Sequence, residues 1–151
     1  MFFPSPAPYS GYVTTELPDD LQVLLVDDDP RVLETVAAYL GTCRGWCCTT
    51  AARAEAAAPL LPGDFDAVVS DFQMPGMDGI AFLRWMRSNG YDHPFVLYTG
   101  MSRDSVLEEA LAAGASFYVR KGVGTPAELL ELANAVRSAV ALRAIRASPS
   151  S

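Results

Sequence analysis

Three consecutive aspartates, Asp27-Asp28-Asp29, stand at the end of the apolar run Leu21-Gln22-Val23-Leu24-Leu25-Val26. A second short run, Phe65 to Ser70, stops at Asp71; a third, Phe95 to Thr99, ends on a hydroxyl; a fourth, Ser116 to Arg120, is followed by Lys121. Carboxylates gathered in one place repel, and some have raised pKa values unless a cation lies among them. Such hard oxygen donors suit Mg²⁺, which binds through one or two carboxylates and keeps several waters and a phosphate. A divalent cation, a hydroxyl and a lysine together form an electrostatic cradle for a transferring phosphoryl group. A carboxylate in that cradle can be the nucleophile and become an aspartyl phosphate. Each residue alone is bland: an aspartate at a strand end more often caps a helix or makes a turn, and Asp29, just before Pro30, reads as a cap. The coincidence of these groups at several strand ends carries the reading, because clustered charge costs stability.

The elements that must position these groups follow from hydrophobic periodicity. Leu21 to Val26 suits a buried parallel strand. Asp29-Pro30 opens a helix carrying Val32, Leu33, Val36, Ala37 and Leu40, closed by Gly41. Trp46 to Thr50 predicts a strand and Ala51 to Leu61 an alanine-rich helix ending near Pro62-Gly63. After Phe65 to Ser70, Asp78 caps a helix with Ile80, Leu83 and Met86 that closes near Asn89-Gly90. Phe95 to Thr99 is the fourth strand, and Ser102 caps the helix with Val106, Leu107, Ala110 and Leu111, ended by Gly114. Ser116 to Arg120 is the fifth. Thr125-Pro126-Ala127-Glu128 reads as a capping box opening a helix to about Arg146, with Leu129, Leu132, Val136 and Val140 on one face. Five strand-then-helix units imply a doubly wound α/β fold: a five-stranded parallel sheet covered on both faces. In such sheets the functional crevice lies beyond the carboxyl ends of the strands, where the chemical groups above stand.

Bulk properties narrow the class. A chain of 151 residues, half of them hydrophobic, is one domain with room for a core. Its net charge of −7 argues against direct nucleic-acid binding, which needs clustered Lys and Arg. No apolar run is long enough for membrane insertion, and the start, Met1 to Pro18, lacks the basic and apolar regions of a signal peptide, so a cytoplasmic address is expected. Residues 1–19 read as a mobile leader, 20–146 as the folded domain and 147–151 as a tail. Cys43, Cys47 and Cys48 are expected to be reduced thiols in or beside a strand.

At this point the chain resembles the receiver domains of two-component response regulators. The likeness runs from Leu21 to Arg146 and rests on Val23-Leu24-Leu25-Val26-Asp27-Asp28-Asp29-Pro30, Val69-Ser70-Asp71-Phe72-Gln73-Met74-Pro75-Gly76-Met77-Asp78-Gly79, Tyr98-Thr99-Gly100, Ala113-Gly114-Ala115 and Tyr118-Val119-Arg120-Lys121. It implies the flavodoxin-like strand order 2-1-3-4-5 and Asp71 as phosphoacceptor. It also implies Mg²⁺, with Mn²⁺ as an alternative, on Asp27, Asp28, Asp71 and the backbone carbonyl of Gln73. Thr99 and Lys121 would bond phosphoryl oxygens, and Thr99 and Tyr118 would be the switch residues. The implied partners are a histidine kinase or phosphotransfer domain, then a downstream protein on the surface of helix 4, strand 5 and helix 5; a homodimer stays open. By this likeness the domain would be no enzyme beyond its own phosphorylation and dephosphorylation.

One departure is plain. The family usually carries proline after the lysine, joined by a cis bond; here Gly122 follows, so a trans bond or a rearranged loop is expected. Three other readings compete: a receiver-like domain that is never phosphorylated, a phosphohydrolase with its nucleophile after the first strand, and a flavodoxin-like electron carrier. The first predicts a missing key residue, the second a substrate cap, the third a hydroxyl- or glycine-rich loop in place of the acids. With no residues left for an output domain, the chain is expected either to act alone as adaptor or relay, or to be part of a larger protein such as a hybrid kinase.

Overall fold

The computed structural model describes residues 20–43, 45–101 and 104–147. Strands and helices alternate: β1 (Gln22–Val26), α1 (Pro30–Leu40), β2 (Cys47–Ala51), α2 (Ala54–Ala57) continued by a 3-10 turn (Ala58–Leu60), β3 (Ala67–Ser70), α3 (Gly79–Ser88), β4 (Phe95–Thr99), α4 (Asp104–Ala113), β5 (Phe117–Arg120) and α5 (Pro126–Ala147). All pairings are parallel and the sheet order is β2-β1-β3-β4-β5. This is the expected doubly wound architecture.

Side-chain alternation along the strands divides the interior into two cores. Val23, Leu25, Val69, Val96 and Tyr98 pack under α1 and α5, against Val36, Leu40, Leu132 and Val136. Leu24, Val26, Val68 and Leu97 face the other way, against Ile80, Leu83 and Met86 of α3 and Val106 and Ala110 of α4. β1, β3 and β4 are therefore almost wholly buried, which is why they read as continuous apolar runs. β2, on the sheet edge, leaves Cys47, Thr49 and Thr50 exposed.

Local signals set most boundaries. Asp29 caps α1 by accepting the Arg31 N–H at 2.9 Å, with Pro30 in the first helical position. Asp78 caps α3 through the Ala81 N–H at 2.8 Å. Some details differ from expectation. Ala51 belongs to β2, and α2 is a single turn, because Pro59 cannot donate to the helix and its ring crowds the preceding turn. Trp46 precedes its strand and is buried beneath the Arg137 guanidinium, 5.3 Å from the ring centre. β3 starts two residues later than the apolar run. Thr125 does cap α5, accepting the Glu128 N–H at 3.2 Å, but the Glu128 carboxylate accepts from Gly124 at 3.1 Å, so half of the predicted capping box is redirected. Ser102, residues 1–19 and residues 148–151 lie outside the described residues.

All three cysteines are free thiols. Burial, then the neighbouring thiols, pushes Cys48 up to about 11, so it stays protonated. The Lys121–Gly122 bond is trans, as expected.

Candidate functional site

Parallel pairing brings the crevice residues together. Val26 lies opposite Ser70 and Ser70 opposite Leu97, so Asp27 and Asp71 leave neighbouring strands side by side at the carboxyl edge. Thr99 pairs with Arg120, which places Lys121 beside them. Asp27, Asp28 and Asp71 each offer an oxygen to one spot, all within 4.8 Å of one another. Asp27 and Asp71 are buried and Asp28 is exposed.

Lys121 closes this acidic spot. Its Nζ donates to Asp27 Oδ2 at 2.8 Å and to Asp71 Oδ2 at 3.1 Å. Burial works against the ammonium, but the Asp27 hydrogen bond and the charges of Asp71 and Asp27 outweigh it and raise the Lys121 pKa. For Asp27 burial wins: its carboxyl is raised above the usual range although Lys121 and the Asp29 N–H, at 2.9 Å, favour its ionised form. The difference follows from position, since Asp27 is the more deeply buried partner. The second oxygen of Asp71 accepts its neighbour Phe72 N–H at 2.7 Å, so the carboxylate is held in a fixed orientation.

The donor set fits a divalent cation: three carboxylates converge, and an ammonium already sits among them as the compensating charge. Gln73 lines a cleft of about 500 Å³ together with Asp28, Phe72 and Met74, next to the carboxylate cluster. Thr99 is buried, and its Oγ1 accepts the Met101 N–H at 3.3 Å. The Tyr118 hydroxyl donates to the Met101 carbonyl at 2.6 Å. Thr99 and Tyr118 thus hold the two sides of one residue.

Every sequence-predicted site residue lies at this end of the sheet except Tyr118, which reaches it through Met101. Two residues were missed. Tyr98, on the opposite face of β4 from its neighbours, sends its hydroxyl to the Glu128 carboxylate, and Lys121 Nζ lies 5.8 Å from its ring centre. Their separation of 30 residues leaves no local signal.

A cluster of two buried aspartates and one exposed, closed by one lysine at the carboxyl edge of a parallel 2-1-3-4-5 sheet, defines a receiver-type α/β domain. The family model described as the response regulator receiver domain matches residues 23–134, and the chain belongs to that family. It is similar to the heme response regulator HssR of Staphylococcus aureus (strain JH9), 36% identical over 119 residues, which covers 78% of this chain and 50% of that protein. The chain spans only 18% of the rice two-component response regulator ORR21 (Oryza sativa subsp. indica), to which it is 32% identical over 131 residues, 85% of its own length. Its fold matches the Francisella response regulator 1452 receiver domain with a TM-score of 0.73 at 24% identity, covering 82% of this chain and 98% of that one. It also matches TrrA of Thermotoga maritima, solved in complex with Mg²⁺-BeF, with a TM-score of 0.64 at 27% identity, covering 76% and 98% of the two chains. The chain is thus a receiver domain of two-component signalling. The family membership sets aside the phosphohydrolase and electron-carrier readings.

Proposed function

We propose that this domain takes a phosphoryl group onto Asp71 from the phosphohistidine of a histidine kinase or phosphotransfer domain. The observation that carries the reading is the convergence of Asp27, Asp28 and Asp71 on one spot, with the Lys121 ammonium bonded to Asp27 and Asp71. An Asp71 carboxylate oxygen attacks phosphorus, the P–N bond breaks, and the imidazole leaves with the electron pair and is protonated from solvent. Asp27, Asp28, Asp71 and the Gln73 carbonyl are the residues that would hold Mg²⁺, with Mn²⁺ as a substitute. Bound there, the cation would neutralise charge on the transferring oxygens. TrrA, a structural relative, was solved with Mg²⁺-BeF, which supports this choice of ion.

Lys121 already touches the acceptor, so it needs only a small shift to bond a phosphoryl oxygen. The Thr99 hydroxyl bonds another and gives up the Met101 N–H in doing so. That release loosens the residue gripped by Tyr118 and biases the surface of α4, β5 and α5 toward its partner-binding state. The new phosphoryl charge is what drives the shift.

Intact-mass spectrometry with acetyl phosphate, with and without Mg²⁺, tests the reading. One Mg²⁺-dependent phosphoryl group is expected on the wild-type chain and none on Asp71→Asn. A folded wild-type protein that gains nothing would establish the unphosphorylated, partner-binding alternative; equal labelling of Asp71→Asn would move the acceptor elsewhere.

A further inference from the structure

The loop after Lys121 has little of its own to hold it. Gly122 and Gly124 have no side chains, and Val123 between them is 92% exposed. Glycine-rich backbone loses the most freedom on ordering, and lysine's four-carbon stem is itself flexible. Yet Lys121 reaches two carboxylates at once, so something must fix its backbone.

That something is visible on the first turn of α5. The Glu128 carboxylate accepts the Gly124 N–H at 3.1 Å, the Gly122 N–H and the Tyr98 hydroxyl. The loop is shaped around it: a Cβ added at Gly122 would lie 2.9 Å from Glu128 Oε1, and Gly124 has φ +79°, a conformation side chains disfavour. A proline at 122 would have no N–H to give. Tyr98 is buried in β4, so the carboxylate joins the loop to the core, one residue before Thr99. Burial opposes the Glu128 charge, but the Tyr98 hydroxyl and the loop N–H groups outweigh it and lower its pKa.

We propose that Glu128 is the positioning residue of Lys121: with Tyr98 it clasps the Gly122–Gly124 loop and so holds the ammonium over Asp27 and Asp71. It replaces by hydrogen bonds the stiffness that proline supplies in the usual family pattern. The proposal rests on the phosphoacceptor reading for its consequence, but not for the placement itself.

Lys121 is the only lysine in the chain, so the full-length protein labelled with [¹³C,¹⁵N]lysine has one side-chain signal to follow. Glu128→Ala is expected to move that signal to the position of a solvent-exposed lysine and to slow acetyl phosphate labelling about tenfold, the equivalent of losing one charged hydrogen bond. Glu128→Gln, which keeps an acceptor oxygen for the loop, should restore most of both. Tyr98→Phe, which keeps the ring and loses only the hydroxyl, should move the signal in the same direction and serves if Glu128→Ala does not fold. A folded Glu128→Ala with an unmoved lysine signal overturns the clasp. A moved signal on a wild-type protein that never labels upholds the clasp and sinks the phosphoacceptor reading instead.

Discussion

Single side chains at the two ends of the sheet meet opposite electrostatic problems. At the carboxyl end, burial works against the charge of Asp27, and Lys121 and the Asp29 N–H offset part of that cost. At the other end His93 is buried, with an Nδ1 that has no hydrogen-bond partner. Burial, then the Arg143 charge, lowers its pKa against the opposing pull of Asp92. Its ring packs 5.9 Å from that of Tyr91. With the folded pKa below the unfolded value of about 6.5, the unfolded chain binds the extra proton first. Stability should therefore be full above about pH 6.5 and fall as pH drops through the depressed folded value, by no more than about 1.4 kcal/mol per pH unit from this one group. Urea midpoints between pH 7 and pH 5 should fall less steeply for His93→Phe than for wild type; equal slopes would show that His93 does not titrate on unfolding.

Elements carry their chemistry through backbone contacts as much as side chains. α3 begins against the β3 end that carries Asp71: Gly79 donates to the Phe72 carbonyl at 2.8 Å, and a Cβ there would lie 2.1 Å from the Asp71 carbonyl oxygen. Asp78 reads from the sequence as the cap of this helix. The cap is present, and the glycine adds a close approach of helix to strand end that no local pattern encodes. Asp78→Ala should cost about 1 kcal/mol, the usual worth of an N-cap. Gly79→Ala should cost more, about 2–3 kcal/mol, since the clash is with backbone that cannot rotate away. Urea denaturation ranks the two; a Gly79→Ala protein as stable as wild type would mean that α3 slides without penalty.

Across the whole molecule, a −7 chain concentrates three carboxylates at one edge of its sheet. A cation that binds only the folded state stabilises it by mass action, about 2.7 kcal/mol at a hundred times its Kd. Mg²⁺ should therefore raise the melting temperature by several degrees. Asp28 is exposed and takes no part in the Lys121 ion pairs, so Asp28→Ala should leave metal-free stability within about 0.5 kcal/mol of wild type and abolish most of the Mg²⁺ shift. An undiminished shift in Asp28→Ala, followed by thermal denaturation, would place the cation elsewhere.

Periodicity and caps made β1, α1, α3, β4 and α5 legible, because buried parallel strands are continuous apolar runs and Asp29, Asp78 and Thr125 cap through contacts two or three residues away. Strand-end position likewise singled out Asp27, Asp28, Asp71, Thr99 and Lys121, since a parallel sheet carries all its strand ends to one edge. Local pattern misjudged α2, where Pro59 overrode a run of helix-forming alanines. What only tertiary structure decided are the meetings of residues far apart in the chain: Lys121 with Asp27 across 94 positions, Tyr118 with Met101, and Glu128 turned from its own helix start to Tyr98 and the Gly122–Gly124 loop. A side chain's type and spacing state which bonds it can make; which of several willing partners it takes depends on distances that exist only once the sheet has closed its register.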